Sequence, residues 1–190
     1  MFAACLSDGQ LYELLQRFDE DLAAEQRACG CPRCGGVLHS ARYPRKPRGF
    51  AGLPPDYNRR LSFCCARAGC RTRATPPSLR FLGRKVYLGA VVVLVSALRC
   101  GVTPARMRYL EERVGVSRRT VMRWRKWWCE ELIATPFWRA ACSRLMPPVE
   151  HADLPASLLE RFMGDALERL ISALRFIAPI TTESATMHAI

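Results

Sequence analysis

The sequence has no long apolar run. Its longest nearly uncharged stretch, Val86 to Leu98, is well short of the ~20 residues a membrane-spanning helix needs. No membrane partner is expected. A secretory start is also missing: no basic residues lead into an apolar stretch with a small-residue cleavage site, and Asp8, Glu13 and Asp19 follow early. The expected setting is therefore cytoplasmic. Internal repeats and extended low-complexity tracts are absent, which excludes solenoid and fibrous architectures. At 190 residues there is no room for a large multidomain enzyme.

What the middle of the chain lacks most is negative charge. Residues 33 to 130 carry 22 basic side chains against 4 acidic ones, a net of +18, while residues 1 to 32 net −4 and residues 131 to 190 net −2. A block with that excess repels itself unless it faces a polyanion, whose condensed counterions its cations can displace. A basic solvated surface and an anionic membrane surface are the rival readings. The second is disfavoured because the cations do not lie opposite an apolar face of one helix. Double-stranded DNA is the leading partner, with RNA left open, and the nucleoid is the expected place within the cytoplasm.

With 49% apolar residues the chain can bury a core. The pattern predicts an α+β protein, mostly α. An acidic amphipathic helix is expected within residues 1–29, with Leu11, Leu14, Leu15, Phe18 and Leu22 at helical spacing over Gln10 to Ala28. Dense prolines after Gly30 exclude regular helix, and short strands fit at Val37 to Tyr43, Arg59 to Cys64 and Arg71 to Thr75. Three helices follow in residues 78–135: a buried one over Arg84 to Arg99, one starting at Thr103-Pro104 and ending at Gly115, and one from Arg118 to about Ile133. Residues 136–180 read as a C-terminal helical segment with a helix over Leu154 to Ile177 and Gly164 as its weak point, and residues 181–190 as a tail.

Five of the ten cysteines cluster in residues 30–77, and two pairs have metal-knuckle character. Cys31-Pro-Arg-Cys34-Gly35 has the spacing and trailing glycine of a zinc knuckle, and Cys65 with Cys70 supplies the second half. Four thiolates close a tetrahedral structural site for one Zn2+. Cys65 is preferred to Cys64 because it gives the shorter knuckle and adjacent strand residues face opposite ways, but the choice stays open. His39 is a spare ligand at most. Cys5, Cys29, Cys100, Cys129 and Cys142 are isolated. So small a β segment has little core of its own, and zinc would hold it together.

The stretch Leu110-Glu-Glu-Arg-Val-Gly115-Val116-Ser117-Arg-Arg-Thr120-Val121-Met-Arg-Trp124 reads as a helix-turn-helix. Gly115 permits the left-handed turn, Val116 plugs the angle between the helices, and Ser117 caps the second. At 100° per residue Val121, Trp124 and Trp128 share one side, and Arg118, Arg119, Met122, Arg123, Arg125 and Lys126 the other. The first four of these are candidates for base edges, Arg125 and Lys126 for phosphate. Arg45 and Lys46, in a proline-rich loop, suit backbone tracking rather than base reading. Trp124 and Trp128 are expected in the core, with Trp127 the one candidate for stacking on a base.

A Cys-Pro-x-Cys-Gly knuckle, a second knuckle followed by Arg71, Arg73 and Thr75, and a Gly-Val-Ser-x-x-Thr-Val-x-x-Trp helix-turn-helix resemble the N-terminal DNA-binding region of bacterial insertion-sequence transposases over residues 31 to about 130. The resemblance implies a zinc ribbon plus helix-turn-helix that binds element ends, with Cys31, Cys34, Cys65 and Cys70 as ligands and Arg118, Arg119 and Arg123 as readers. Glu111 departs from the pattern, since that position is usually small where the two helices cross.

A metal-dependent nuclease needs acids on several strands, and the 62 residues after Trp128 read as helices with scattered acids. No catalytic residue is assigned. The expected function is a zinc-containing, sequence-specific DNA-binding protein associated with a mobile element, binding its ends or regulating it. Alternatives are the DNA-binding subunit or truncated form of a transposase whose nuclease is a separate chain, and a zinc-dependent interaction adaptor. A separately encoded transposase or integrase is the candidate protein partner, and homodimerisation through the amphipathic helices is left open.

Overall fold

The computed structural model describes residues 9–45, 53–82, 88–97 and 103–182. Lys46, Cys5 and Cys100 lie outside the described residues, as do both ends of the helix expected over Arg84 to Arg99. The chain is α+β and mostly helical. No helix among the described residues is long and apolar enough to cross a membrane.

Helix α1 spans Gly9–Cys29 and buries Leu11, Leu15, Asp19 and Ala23, a stripe of every fourth residue, together with Tyr12. Asp19 is the acid in that stripe. It accepts hydrogen bonds from Ser78 Oγ at 2.5 Å, the Leu79 amide at 2.6 Å and Arg80 Nε at 2.8 Å. Arg80, itself buried, donates onward to the carbonyls of Tyr57 at 2.8 Å and Arg59 at 3.1 Å. One carboxylate thus ties α1, the β region and the entry to the helical body.

Five short strands follow α1: β1 (Leu38–Ser40), β2 (Tyr43–Pro44), β3 (Arg59–Arg60), β4 (Phe63–Cys65) and β5 (Arg73–Ala74). They form two antiparallel sheets, one ordered β1-β4-β5 and one of β2 with β3. Leu38 stands opposite Cys65 and Tyr43 opposite Arg60. The stretch from Val37 to Tyr43 is therefore two strands in two sheets rather than one. A small core of Ala23, Leu38, Leu61, Phe63 and Ala74 closes around Cys31 and Cys65.

Helix α2 (Gly89–Ser96) is buried from Gly89 to Val95, as its all-round apolar pattern requires. Helix α3 (Pro104–Val114) starts where Thr103 Oγ1 accepts the Arg106 amide, and ends at Gly115 with φ of 63°. Glu111 is exposed, and Leu110 and Val114 face inward instead. Val116 is fully buried. Helix α4 (Arg118–Lys126) follows, with Ser117 in the extended conformation of a cap. Its hydroxyl does not cap an amide, contrary to expectation, but pairs with Thr120 Oγ1 at 3.2 Å.

Beyond Lys126 the expected continuous α-helix widens into a π-helical segment, Trp127–Leu132. Trp124, Trp128 and Leu132 recur every fourth residue, a spacing that drifts off one face of a 3.6-residue turn. The wider turn keeps all three buried together. Helix α5 (Pro136–Cys142) is capped by Thr135 Oγ1, which accepts the Trp138 amide at 3.1 Å.

The single helix expected over Leu154 to Ile177 is broken into α6 (Ala156–Leu159) and α7 (Ala166–Ile177). Gly164 sits between them at φ of 102°, and a Cβ there would collide with the Glu168 side chain. A helix cannot pass through that conformation. Asp165 and Glu168 restart the chain with a reciprocal capping box. Leu158, Leu170, Leu174 and Ile177 still reach the core, and Phe162 packs against it. The first two residues expected in the tail, Thr181 and Thr182, continue the helical chain instead, with Thr181 buried and accepting the Ser78 amide at 3.1 Å, and residues 183–190 lie outside the described residues. The large core runs from Leu11 to Ile180 and joins α1, α2, α3, α4 and the C-terminal helices.

Candidate functional site

Two sets of residues carry chemistry. The first is Cys31, Cys34, Cys65 and Cys70, whose sulfurs all lie within 4.8 Å of one another. Cys31 and Cys34 sit on a turn closed by the Gly35 amide donating to the Cys31 carbonyl at 2.8 Å and the Cys31 amide donating to the Gly36 carbonyl at 2.9 Å. Cys65 ends β4, and Cys70 is held by its amide donating to the Arg67 carbonyl at 2.9 Å. Pairing β1 with β4 brings the two turns face to face.

The sulfurs of Cys31 and Cys70 are 3.7 Å apart, those of Cys34 and Cys65 3.5 Å. A tetrahedral zinc with Zn–S bonds of about 2.3 Å sets its ligand sulfurs about 3.8 Å apart. The residues present therefore fit a metal ion of that size. Cys64 does not join them: its sulfur lies 3.5 Å from the Arg71 carbonyl. His39 is exposed on β1 outside the cluster.

Hydrogen-bond donors stand beside two of the sulfurs, with opposite net outcomes. The hydroxyl and amide of Thr72 lower the Cys70 thiol to about 6. At Cys65 the Arg67 amide also lowers the thiol, but burial and the sulfurs of Cys34, Cys31 and Cys70 outweigh it and the net direction is upward. Gly36 is close as well, since a Cβ on it would stand 3.3 Å from the Cys34 sulfur and 3.4 Å from that of Cys65. The sequence reading missed Arg67, Thr72 and Gly36. Their common signal is position, within two residues of a knuckle cysteine.

The second set lies on α4. Arg118, Arg119, Met122, Arg123, Arg125 and Lys126 are all exposed, while Thr120, Val121 and Trp124 are buried. Trp128 is buried too, and Trp127 is partly covered, its ring 4.9 Å from that of Trp128 in an edge-on contact. Lys126 is 3.8 Å from Glu130, an exposed pair one turn on. Comparisons with protein-family models, with curated proteins and with solved structures found no match. The chemistry is read from these residues alone.

Arg45 lies away from α4, at the end of β2, with its guanidinium 5.5 Å from the Tyr43 ring centroid. Lys46 lies outside the described residues. Arg73, on β5, approaches the same tyrosine from the other sheet at 5.7 Å. The basic residues of the β region and of α4 thus occupy separate elements.

Proposed function

We propose that the chain is a zinc-containing, sequence-specific binder of duplex DNA, in which α3, the Gly115 turn and α4 act as a helix-turn-helix. One observation carries the reading. Helix α4 divides its residues, with five cations and Met122 on the solvent side and Val121 and Trp124 locked into the core. A helix that enters the major groove needs a rigid back and a polar, cationic front. Arg118, Arg119, Met122 and Arg123, on its first turns, are placed to meet base edges, with arginine favouring guanine O6 and N7. Arg125, Lys126 and Arg45 are assigned to phosphates.

In this reading the four cysteines hold one structural Zn2+ that closes the ribbon and takes no part in chemistry. The chain binds rather than catalyses. Its resemblance to insertion-sequence transposase DNA-binding regions supports a role at the ends or in the regulation of a mobile element, with any strand transfer supplied by a separately encoded transposase or integrase.

Binding-site selection with the purified protein tests this. Arg119→Ala and Arg123→Ala should each cost about 1 to 3 kcal/mol at one base position and relax preference there. Trp124→Ala, by contrast, should lose binding to all sequences together with helical circular dichroism. Unchanged selected sequences and affinities in both arginine variants would overturn the assignment of α4.

A further inference from the structure

We propose that the ribbon carries a second phosphate-binding face, formed by Arg45 and Arg73 over the Tyr43 ring with Arg71 two residues before Arg73, and that this face grips the same duplex as α4. The inference rests on the DNA-binding reading and extends it to a surface that α4 does not include.

Charge is the first support. Residues 31 to 77 carry ten basic side chains and a single acid, Asp56, so the ribbon contributes half of the +18 of the central block. Duplex phosphate is the polyanion that both halves match. The second support is the tyrosine. Tyr43, on the two-stranded sheet, has two guanidiniums drawn to its ring at 5.5 and 5.7 Å, one from its own sheet's end and one from β5 of the other sheet. Cation–π attraction holds like charges together that would otherwise part. Arginines positioned this way present their planar forks to phosphate oxygens with little freedom left to lose.

The third support is Arg71. It follows Cys70 with a backbone φ of 48°, as Gly35 follows Cys34 with a φ of 67°. The two knuckles turn the chain alike, yet the second uses a residue that disfavours the conformation. Arg71 is exposed, so no packing of its side chain accounts for the choice. A strained position that keeps a long cationic side chain is accounted for by what that side chain touches outside the protein.

The bridge from Asp19 through Arg80 to the carbonyls of Tyr57 and Arg59 holds the ribbon against the helical body. The second face therefore has a fixed place relative to α4.

Binding of a mixed-sequence DNA duplex, measured over a salt titration, tests the proposal on the full-length, zinc-loaded chain. Each phosphate contact contributes about 0.9 to the slope of log affinity against log salt. Arg45→Ala with Arg73→Ala should lower that slope by about 2, and Arg71→Gly by about 1, with zinc content unchanged and the selected sequence the same as in the wild type. Arg71→Gly also relieves the turn, so its thermal midpoint should hold or rise while its affinity falls. Ribbon variants with the wild-type slope would overturn the second face and leave the α4 reading standing. A wild-type chain without affinity for duplex DNA would sink both, and slopes that change only on duplex RNA would overturn the choice of partner.

Discussion

The ribbon and the helical body reach stability by different routes. The helical body encloses Trp124, Trp128 and Trp138, each with almost no exposed surface, and α2 is buried on every side. Among the described residues the ribbon core has seven, two of them metal-ligand candidates and one, Ala23, from α1, and its strands are two or three residues long. Apolar burial suffices in the first region. In the second the proposed zinc would tie the sulfurs together and give the strands something to pack against.

Removing the tie should produce the largest effect. Cys70→Ser, or chelation of the proposed zinc, forfeits binding free energy on the order of 10 kcal/mol, which is folding free energy for so small a unit. Hydrogen exchange should show β1, β4 and β5 losing protection while α2 and α4 keep theirs. Loss of protection in both regions at once would show that they share one fate and that the helices do not stand without the tie.

A middle effect should come from the carboxylate that joins the regions. Asp19→Ala leaves Arg80 buried without its partner and removes the acceptor for Ser78 and the Leu79 amide. Breaking a buried pair from one side costs about 3 to 5 kcal/mol. Denaturant unfolding should show that loss, with the ribbon and the helices melting apart as separate transitions. A single shifted transition would place the coupling elsewhere, in the apolar core itself.

The smallest effect belongs to Tyr57. Its side chain is buried, edge-on to Tyr12, with a hydroxyl that has no hydrogen-bond partner among the described residues. Burial raises its pKa above the ordinary value. The raised folded pKa means this group's stabilising contribution is intact below about pH 10 and is lost as pH rises above it, because the unfolded tyrosine ionises and the folded one does not. Tyr57→Phe should be neutral or stabilise by about 1 kcal/mol at neutral pH, and should flatten the alkaline limb of a stability profile. A destabilised Tyr57→Phe protein would mean that the hydroxyl has a partner after all.

The parts of this molecule that were readable in sequence are those where a local pattern has one physical meaning. Cys31-Pro-Arg-Cys34 can bring two sulfurs together only through a tight turn, and the alternation along Arg118 to Lys126 admits one buried face. Thr103-Pro104 marked a helix start, and Thr135-Pro136 carried the same signature for α5 without being singled out. Asp19 was hidden for a different reason. On an amphipathic helix it looked like one more solvated acid, and its partners lie some sixty residues away, beyond the reach of any local pattern. The break at Gly164 was weighed only as a weak point, because a glycine in a helical stretch costs about 1 kcal/mol and is often tolerated. Its positive φ is set by α6 and α7 packing on the same core. The π-helical segment after Lys126 likewise answers to the burial of Leu132, a tertiary demand.

The hydrogen bond from the Ser78 amide to Thr181, and the packing of Ile180 into the same core as Leu11, have a bearing on how the chain is made. The apolar α2 packs against both α4 and α7, and α7 is synthesised long after it. Until the ribosome has released residue 181, the side of that stretch that α7 covers depends on temporary company. The ribbon is under no such delay, since every residue it needs has emerged by residue 77. With the proposed zinc in place, biogenesis of this protein would begin at the four cysteines and end with closure of the apolar interior.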